Sequence, residues 1–169
     1  MSVGKQRQFL WLTIVVMLVG MTACGPRETE LLFESIEQRQ TAGTGKLYES
    51  EKPGLMIIAQ PEGLTQVNDL VTASARAQLE KMDFDTYFAV IAFLGWQPNS
   101  HEGVRIEHIT RRAHEVSILA RFGRPGGSDV VTSPYHLVKV RKEDAWDEVI
   151  EFTLRVQGTV VASVSHTVP

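Results

Sequence analysis

The sequence predicts an α+β domain: a mainly antiparallel β-sheet, folded as a sandwich or a partly open barrel, with one main helix packed on it, after an N-terminal signal helix. Three observations carry this. Residues 61–81 hold apolar side chains at helical spacing. The later segments are short, apolar or alternating, and are bounded by turn residues. The first 23 residues form a charged, then apolar, then small-residue run that stands apart from the rest. Strands gathered in sequence, with a helix segregated from them, give the α+β class.

Lys5 and Arg7 supply a positive start, and residues 9–23 follow as an apolar stretch. About 15 helical residues cover roughly 22 Å. The hydrocarbon core of a membrane is about 30 Å and needs about 20 apolar residues. The segment is therefore short for a permanent span, and its flanks favour removal. Residues 19–24 read Val-Gly-Met-Thr-Ala-Cys, the layout of a bacterial lipobox, and Cys24 is the sole cysteine. The expectation is cleavage before Cys24 and a thioether to diacylglycerol there. The lipid would hold the protein to a membrane on the extracytoplasmic side of a bacterial envelope, two acyl chains holding firmly where one does not. An ordinary signal peptide that leaves a free thiol, and an uncleaved anchor, are the alternatives; lipidation removes the oddity of an unpaired exported thiol.

The organisation that follows is a signal peptide at 1–23, a lipid-anchored tether at 24–30 and a single domain at 31–169. Segment 1–23 holds two basic residues and no acid. Of the chain's 17 basic and 20 acidic residues, 15 and 20 therefore remain after it, a net charge near −5. That balance argues against nucleic acid as a partner.

Leu31, Leu32, Phe33 and Ile36 fit neither period cleanly, so strand and helix both stay open for residues 31–38. Residues 41–45, Thr-Ala-Gly-Thr-Gly, read as a turn. Leu47 and Tyr48 begin a short strand ended by Pro53-Gly54. Residues 55–59 are a buried strand by length and by their isoleucines. In the helix at 61–81, Leu64, Val67, Val71, Ala75 and Leu79 share one face. Pro61 suits its first turn, where an N–H would lack a partner anyway.

Residues 87–94 are dense in aromatic and aliphatic side chains and should be central. Residues 104–109 alternate, and pair with 116–122 as a hairpin across Arg112-Ala113-His114. Residues 124–128 are an exposed loop. Residues 137–140 form a strand, and 141–147 a charged turn. Residues 149–156 and 160–164 form a terminal hairpin about Gly158.

Residues 88–95, Phe-Ala-Val-Ile-Ala-Phe-Leu-Gly, followed by Gln97-Pro98 and Val104-Arg-Ile106, resemble the C-terminal domain family of PrcB. So does the block Val131-Thr-Ser-Pro-Tyr-His-Leu-Val138 with Lys139. The family is that of a lipoprotein subunit of a bacterial surface protease complex, and its core would cover about residues 84–140. The resemblance implies a non-catalytic accessory domain that binds an extracytoplasmic serine protease or another envelope protein. Where the family tends to have Thr-Gly-Gly-Tyr, this chain has Asn99-Ser100-His101-Glu102, so the family's loop chemistry does not transfer to those positions.

No reaction is spelled out. Among the five histidines, no pair has the one-face helical spacing of a hydrolytic zinc site. His108 and His114 flank a turn, and His136 reads as partly buried. Ser133 precedes Pro134 and lies in no nucleophile elbow. Asp83 and Asp85 read as capping or solvated residues at a helix-to-strand junction. The expectation is a protein that is not an enzyme, with no cofactor and no metal. The candidate partner-binding residues are Trp96, Pro98, Asn99, His101, Pro134 and Tyr135, on a loop end built from residues 95–103 and 124–135. Trp and Tyr anchors dominate binding energy when desolvated; core packing is the alternative for Trp96 and Tyr135. Two other functions stay open. One is a protease-inhibitor-like loop, similar to chagasin-type inhibitors although this chain lacks the Gly-Tyr half of their motif. The other is a small-ligand-binding envelope lipoprotein, which needs a deep pocket.

Overall fold

The computed structural model describes residues 27–39, 48, 50–98, 103–126, 129, 131–143, 146 and 148–169. The signal segment, Cys24, the 41–45 turn, Leu47 and residues 99–102 lie outside them.

Among the described residues the elements in chain order are β1 (Thr29–Glu30), β2 (Phe33–Arg39), β3 (Gly54–Ile58), a 3-10 helix (Pro61–Val67) and α1 (Ala73–Glu80). There follow β4 (Tyr87–Phe93), β5 (Val104–Arg112), β6 (Glu115–Phe122), β7 (Tyr135–Arg141), β8 (Glu148–Val156) and β9 (Thr159–Val168). They make two sheets, ordered β1-β5-β6-β8-β9 and β2-β7-β4-β3. The class is α+β with mainly antiparallel pairing, and the sheets stack as a sandwich rather than close as a barrel.

β4 reads Tyr-Phe-Ala-Val-Ile-Ala-Phe, apolar on both faces because both faces are covered. Phe88, Val90 and Ala92 meet Ile106, Ile118, Phe152 and Leu154 between the sheets. Ala89, Ile91 and Phe93 meet Val67, Val71, Ala75 and Leu79 of the helical layer. The apolar face read at 61–81 is therefore the buried one, but the single helix expected there is two. Residues 68–72 break it, because Thr72 caps α1 by accepting the Ala75 N–H at 3.1 Å. A Thr, like the preceding Asn68 and Asp69, competes for backbone groups better at a cap than inside a helix.

β1 and β2 carry one extended run from sheet to sheet. The Leu31 N–H donates to the Ile109 carbonyl at 2.8 Å, and the Leu32 carbonyl accepts the Arg141 N–H at 2.9 Å. Residues 33–39 are thus strand rather than helix. Tyr48 lies outside any strand, its ring stacked on Phe93 at 4.3 Å. The β5–β6 hairpin turns through Ala113 at φ 52, and the β8–β9 hairpin through Gln157 at φ 51 and Gly158 at φ 82, left-handed conformations that tight hairpins need. The β6–β8 pair is parallel, which the sequence reading did not anticipate.

The charged turn before β8 hides a core residue. Trp146 is 2% exposed, tilted against Phe88 at 5.2 Å, with the Arg111 guanidinium 4.0 Å from its ring. Arg111 also reaches Glu148 at 2.8 Å, whereas Arg112 is exposed.

These pairings give the sandwich two distinct ends. The chain leaves β4 and β6, enters β5 and β7, and turns from β8 to β9 at one end. Residues 27–30 arrive at the other, where Thr29 pairs with Arg111.

Candidate functional site

The two segments read as one loop end do come together. The Leu94 N–H donates to the Pro134 carbonyl at 3.0 Å. Gln97 and Thr132 exchange both backbone hydrogen bonds, at 2.8 and 3.0 Å. Gly95 makes the corner at φ 94, where an added Cβ would stand 2.6 Å from the Glu51 carbonyl oxygen. The Trp96 N–H donates to the Ser50 carbonyl at 2.7 Å; Trp96 is partly exposed and Pro98 exposed. Asn99 and His101 lie outside the described residues. Thr132, Ser133 and Pro134 are buried, and Tyr135 is fully so. Tyr135 therefore occupies its packing alternative, and with Pro134 it supports the surface from beneath.

The Tyr135 hydroxyl donates to Glu37 Oε2. Glu37 Oε1 accepts the Thr72 hydroxyl at 2.7 Å, and Thr72 caps α1. One carboxylate thus ties β2, β7 and the helix together. Burial, then the Glu37 carboxylate, pushes the Tyr135 phenol above its ordinary range. Sequence reasoning missed Glu37, which looks like one more solvated acid in Glu-Ser-Ile-Glu-Gln.

His136 is 4% exposed, more enclosed than its sequence reading. Its Nδ1 accepts the Ile106 N–H at 2.9 Å, so the proton of the neutral ring sits on Nε2, 2.9 Å from Ser35 Oγ. Burial, with Arg105 adding to it, pushes the imidazole down to about 4. Both ring nitrogens are spent on the fold, so this arrangement leaves no lone pair for a metal or a substrate proton. His108 lies 2.9 Å from Glu30 and His114 2.7 Å from Glu148, on the surface. Asp83 accepts from the Thr86 hydroxyl at 2.6 Å and the Asp85 N–H at 3.0 Å, which hold its carboxyl below the usual range. That is a turn cap.

Clefts open on the surface among the described residues. One of about 640 Å³ at the loop end is lined by Gln38, Gly103, Arg105, Arg121, Gly123, Arg124 and Gln157 among others. A second, of about 550 Å³, shares Gln38 and Arg105 with it and continues past Glu107 and His108. A third, of about 400 Å³, lies between β2, α1 and Lys139. The Glu34 carboxylate, 2.9 Å away, raises the Lys139 ammonium.

In comparisons with known proteins, no family model, no curated protein and no solved structure matches the chain. Among the described residues, no helix is long and apolar enough to cross a membrane.

Proposed function

We propose that this chain is a non-catalytic, lipid-anchored protein of the bacterial envelope that works as a protein-interaction module, with the loop end as its contact surface. One observation carries the reading: the tether and the loops stand at opposite ends of the sandwich. β5 runs between them, from Val104 at the loop end to Arg111, where β1 joins. The six residue steps from Arg105 to Arg111 span about 20 Å at about 3.3 Å each. A lipid on Cys24, just before Thr29, would hold one end at the membrane and turn the other toward soluble or envelope partners. Partly exposed Trp96 and exposed Pro98 and Val131 present apolar side chains there, on a backbone fixed by the Gln97–Thr132 pair. The resemblance to the PrcB C-terminal domain family supports an extracytoplasmic serine protease as the companion, with this chain as accessory subunit.

The test is isolation of the full-length protein from its own membranes after brief cross-linking, with mass spectrometry of its companions and of the Cys24 peptide. A reproducible envelope protease on a lipidated Cys24 supports the reading. A free Cys24 thiol, or no companion, ends it.

A further inference from the structure

We infer that the cleft at the loop end is a binding site for an acidic peptide segment, one that an interacting protein inserts along β5; the inference deepens the interaction-module reading and rests on it. Among the described residues, the lining of the cleft holds three arginines, Arg105, Arg121 and Arg124, and no acid. This is a local reversal in a chain whose net charge is −3. Arg105 and Arg121 are register partners across β5 and β6. Like charges placed directly opposite destabilise a sheet, so the fold gains nothing from this pair. A carboxylate set between them gains two planar forks that match its geometry. Glu107 offsets part of the charge, pairing with Arg121 at 3.2 Å in a contact that is largely exposed.

The shape selects a chain over a lone ion. The arginine cleft and the neighbouring cleft share Gln38 and Arg105, so one trough follows β5 from Gly103 to His108. Strand addition is closed to the occupant along this edge. The Val104 carbonyl is taken by Gln38 Nε2 at 2.8 Å and the Ile106 N–H by His136 Nδ1 at 2.9 Å. Recognition therefore falls to the guanidinium groups and to Gln157. The position selects a protein over the membrane, because the arginine cleft lies at the loop end of the trough, whereas its other end reaches His108 beside Glu30.

The experiment uses the full-length protein in neutral detergent and a fluorescein-labelled hexaglutamate peptide, read by anisotropy at about 20 mM salt, where screening is weak. Binding should fall at least about ten-fold in R105Q/R121Q, and by about as much for the unchanged protein on moving to about 0.5 M salt. The charge-matched R112Q/R141Q, at the tether end, should bind as the unchanged protein does. Peptide-induced shifts of the Gly103, Gly123 and Gln157 amide signals in the unchanged protein locate the site even if R105Q/R121Q fails to fold. Equal binding by both variants, or shifts elsewhere, overturns the inference. So does capture by phosphatidylglycerol vesicles or inorganic phosphate with no peptide bound. If native companions are recovered while hexaglutamate does not bind, the cleft assignment fails and the interaction module stands. If hexaglutamate binds while no companion is found, the site stands and the module reading fails.

Discussion

His136 Nδ1 accepts the backbone N–H of Ile106 at 2.9 Å, so a side chain of one sheet closes the open edge of the other. An edge N–H left bare would invite pairing by a foreign strand. A protonated ring has no lone pair to offer at Nδ1.

The first prediction follows from that bond. The folded imidazole titrates near 4 because burial, then Arg105, disfavours its cation, while an unfolded histidine titrates near 6.5. Between these values the unfolded chain holds a proton that the folded chain refuses. Stability is therefore intact above about pH 6.5 and falls as pH drops toward 4, by about 3 kcal/mol in full. Denaturant midpoints from neutral pH down to this limit measure it. His136→Gln should flatten the slope; an unchanged slope in that variant would assign it to other groups.

A second prediction concerns Glu37. Tyr135→Phe keeps the buried ring and removes one donor, and should cost about 1–2 kcal/mol. Thr72→Ala removes a helix cap and should cost about 1 kcal/mol. Because both hydroxyls bond the same carboxylate, the double variant should depart from additivity by at least about 0.5 kcal/mol. Additive losses in urea denaturation would mean that the two bonds are independent.

Gly95 and Gly158 make a matched pair of positive-φ glycines with different surroundings. Gly95→Ala drives a methyl into the Glu51 carbonyl, and backbone cannot step aside. Gly158→Ala meets nothing within 4 Å, so only the left-handed conformation opposes it, at about 1–2 kcal/mol. Gly95→Ala should lose clearly more. Equal thermal shifts would show that the 94–98 corner yields.

Trp96 is anchored through its backbone, which alanine retains. Trp96→Ala should lower companion recovery about ten-fold. The thermal midpoint should move by less than about 4 °C, the shift that about 1 kcal/mol gives at this length. A larger drop in midpoint would place the indole among the core side chains.

Ser133 Oγ is buried and, among the described residues, has no hydrogen-bond partner. Removing an unsatisfied hydroxyl relieves a desolvation cost. Ser133→Ala should leave stability unchanged or raise it by about 1 kcal/mol. A loss of that size in calorimetry would reveal a partner for the hydroxyl.

The strands and the terminal hairpin were legible because their evidence is local. The alternation at Val104-Arg105-Ile106 and the apolar density of 87–94 act within a few residues. The break before Thr72 was not, since the helical face continues across it and the cap depends on Glu37, 35 positions earlier. Trp146 was hidden by charged neighbours; its burial requires Phe88 and Arg111 to arrive from other strands. The arginine trough was equally silent. Arg105 and Arg121 are neighbours only through a hairpin register that a bulge near Glu107 shifts. Of the candidate site, the meeting of 95–98 with 131–135 followed from the strands that carry them. The depth of Tyr135 and His136 depended on what covers β7.

The parallel β6–β8 pair has a consequence for how the molecule is made. β7, which belongs to the other sheet, intervenes in sequence, so β6 cannot gain its second neighbour until β7 has crossed over and β8 has followed. A growing chain that ends before β8 holds the β5–β6 hairpin with one side bare. Contacts this distant in sequence form slowly, and unpaired strands attract one another while they wait. The last two strands are thus a completion signal: a chain cut short before Glu148 should accumulate as aggregate rather than as a smaller folded body.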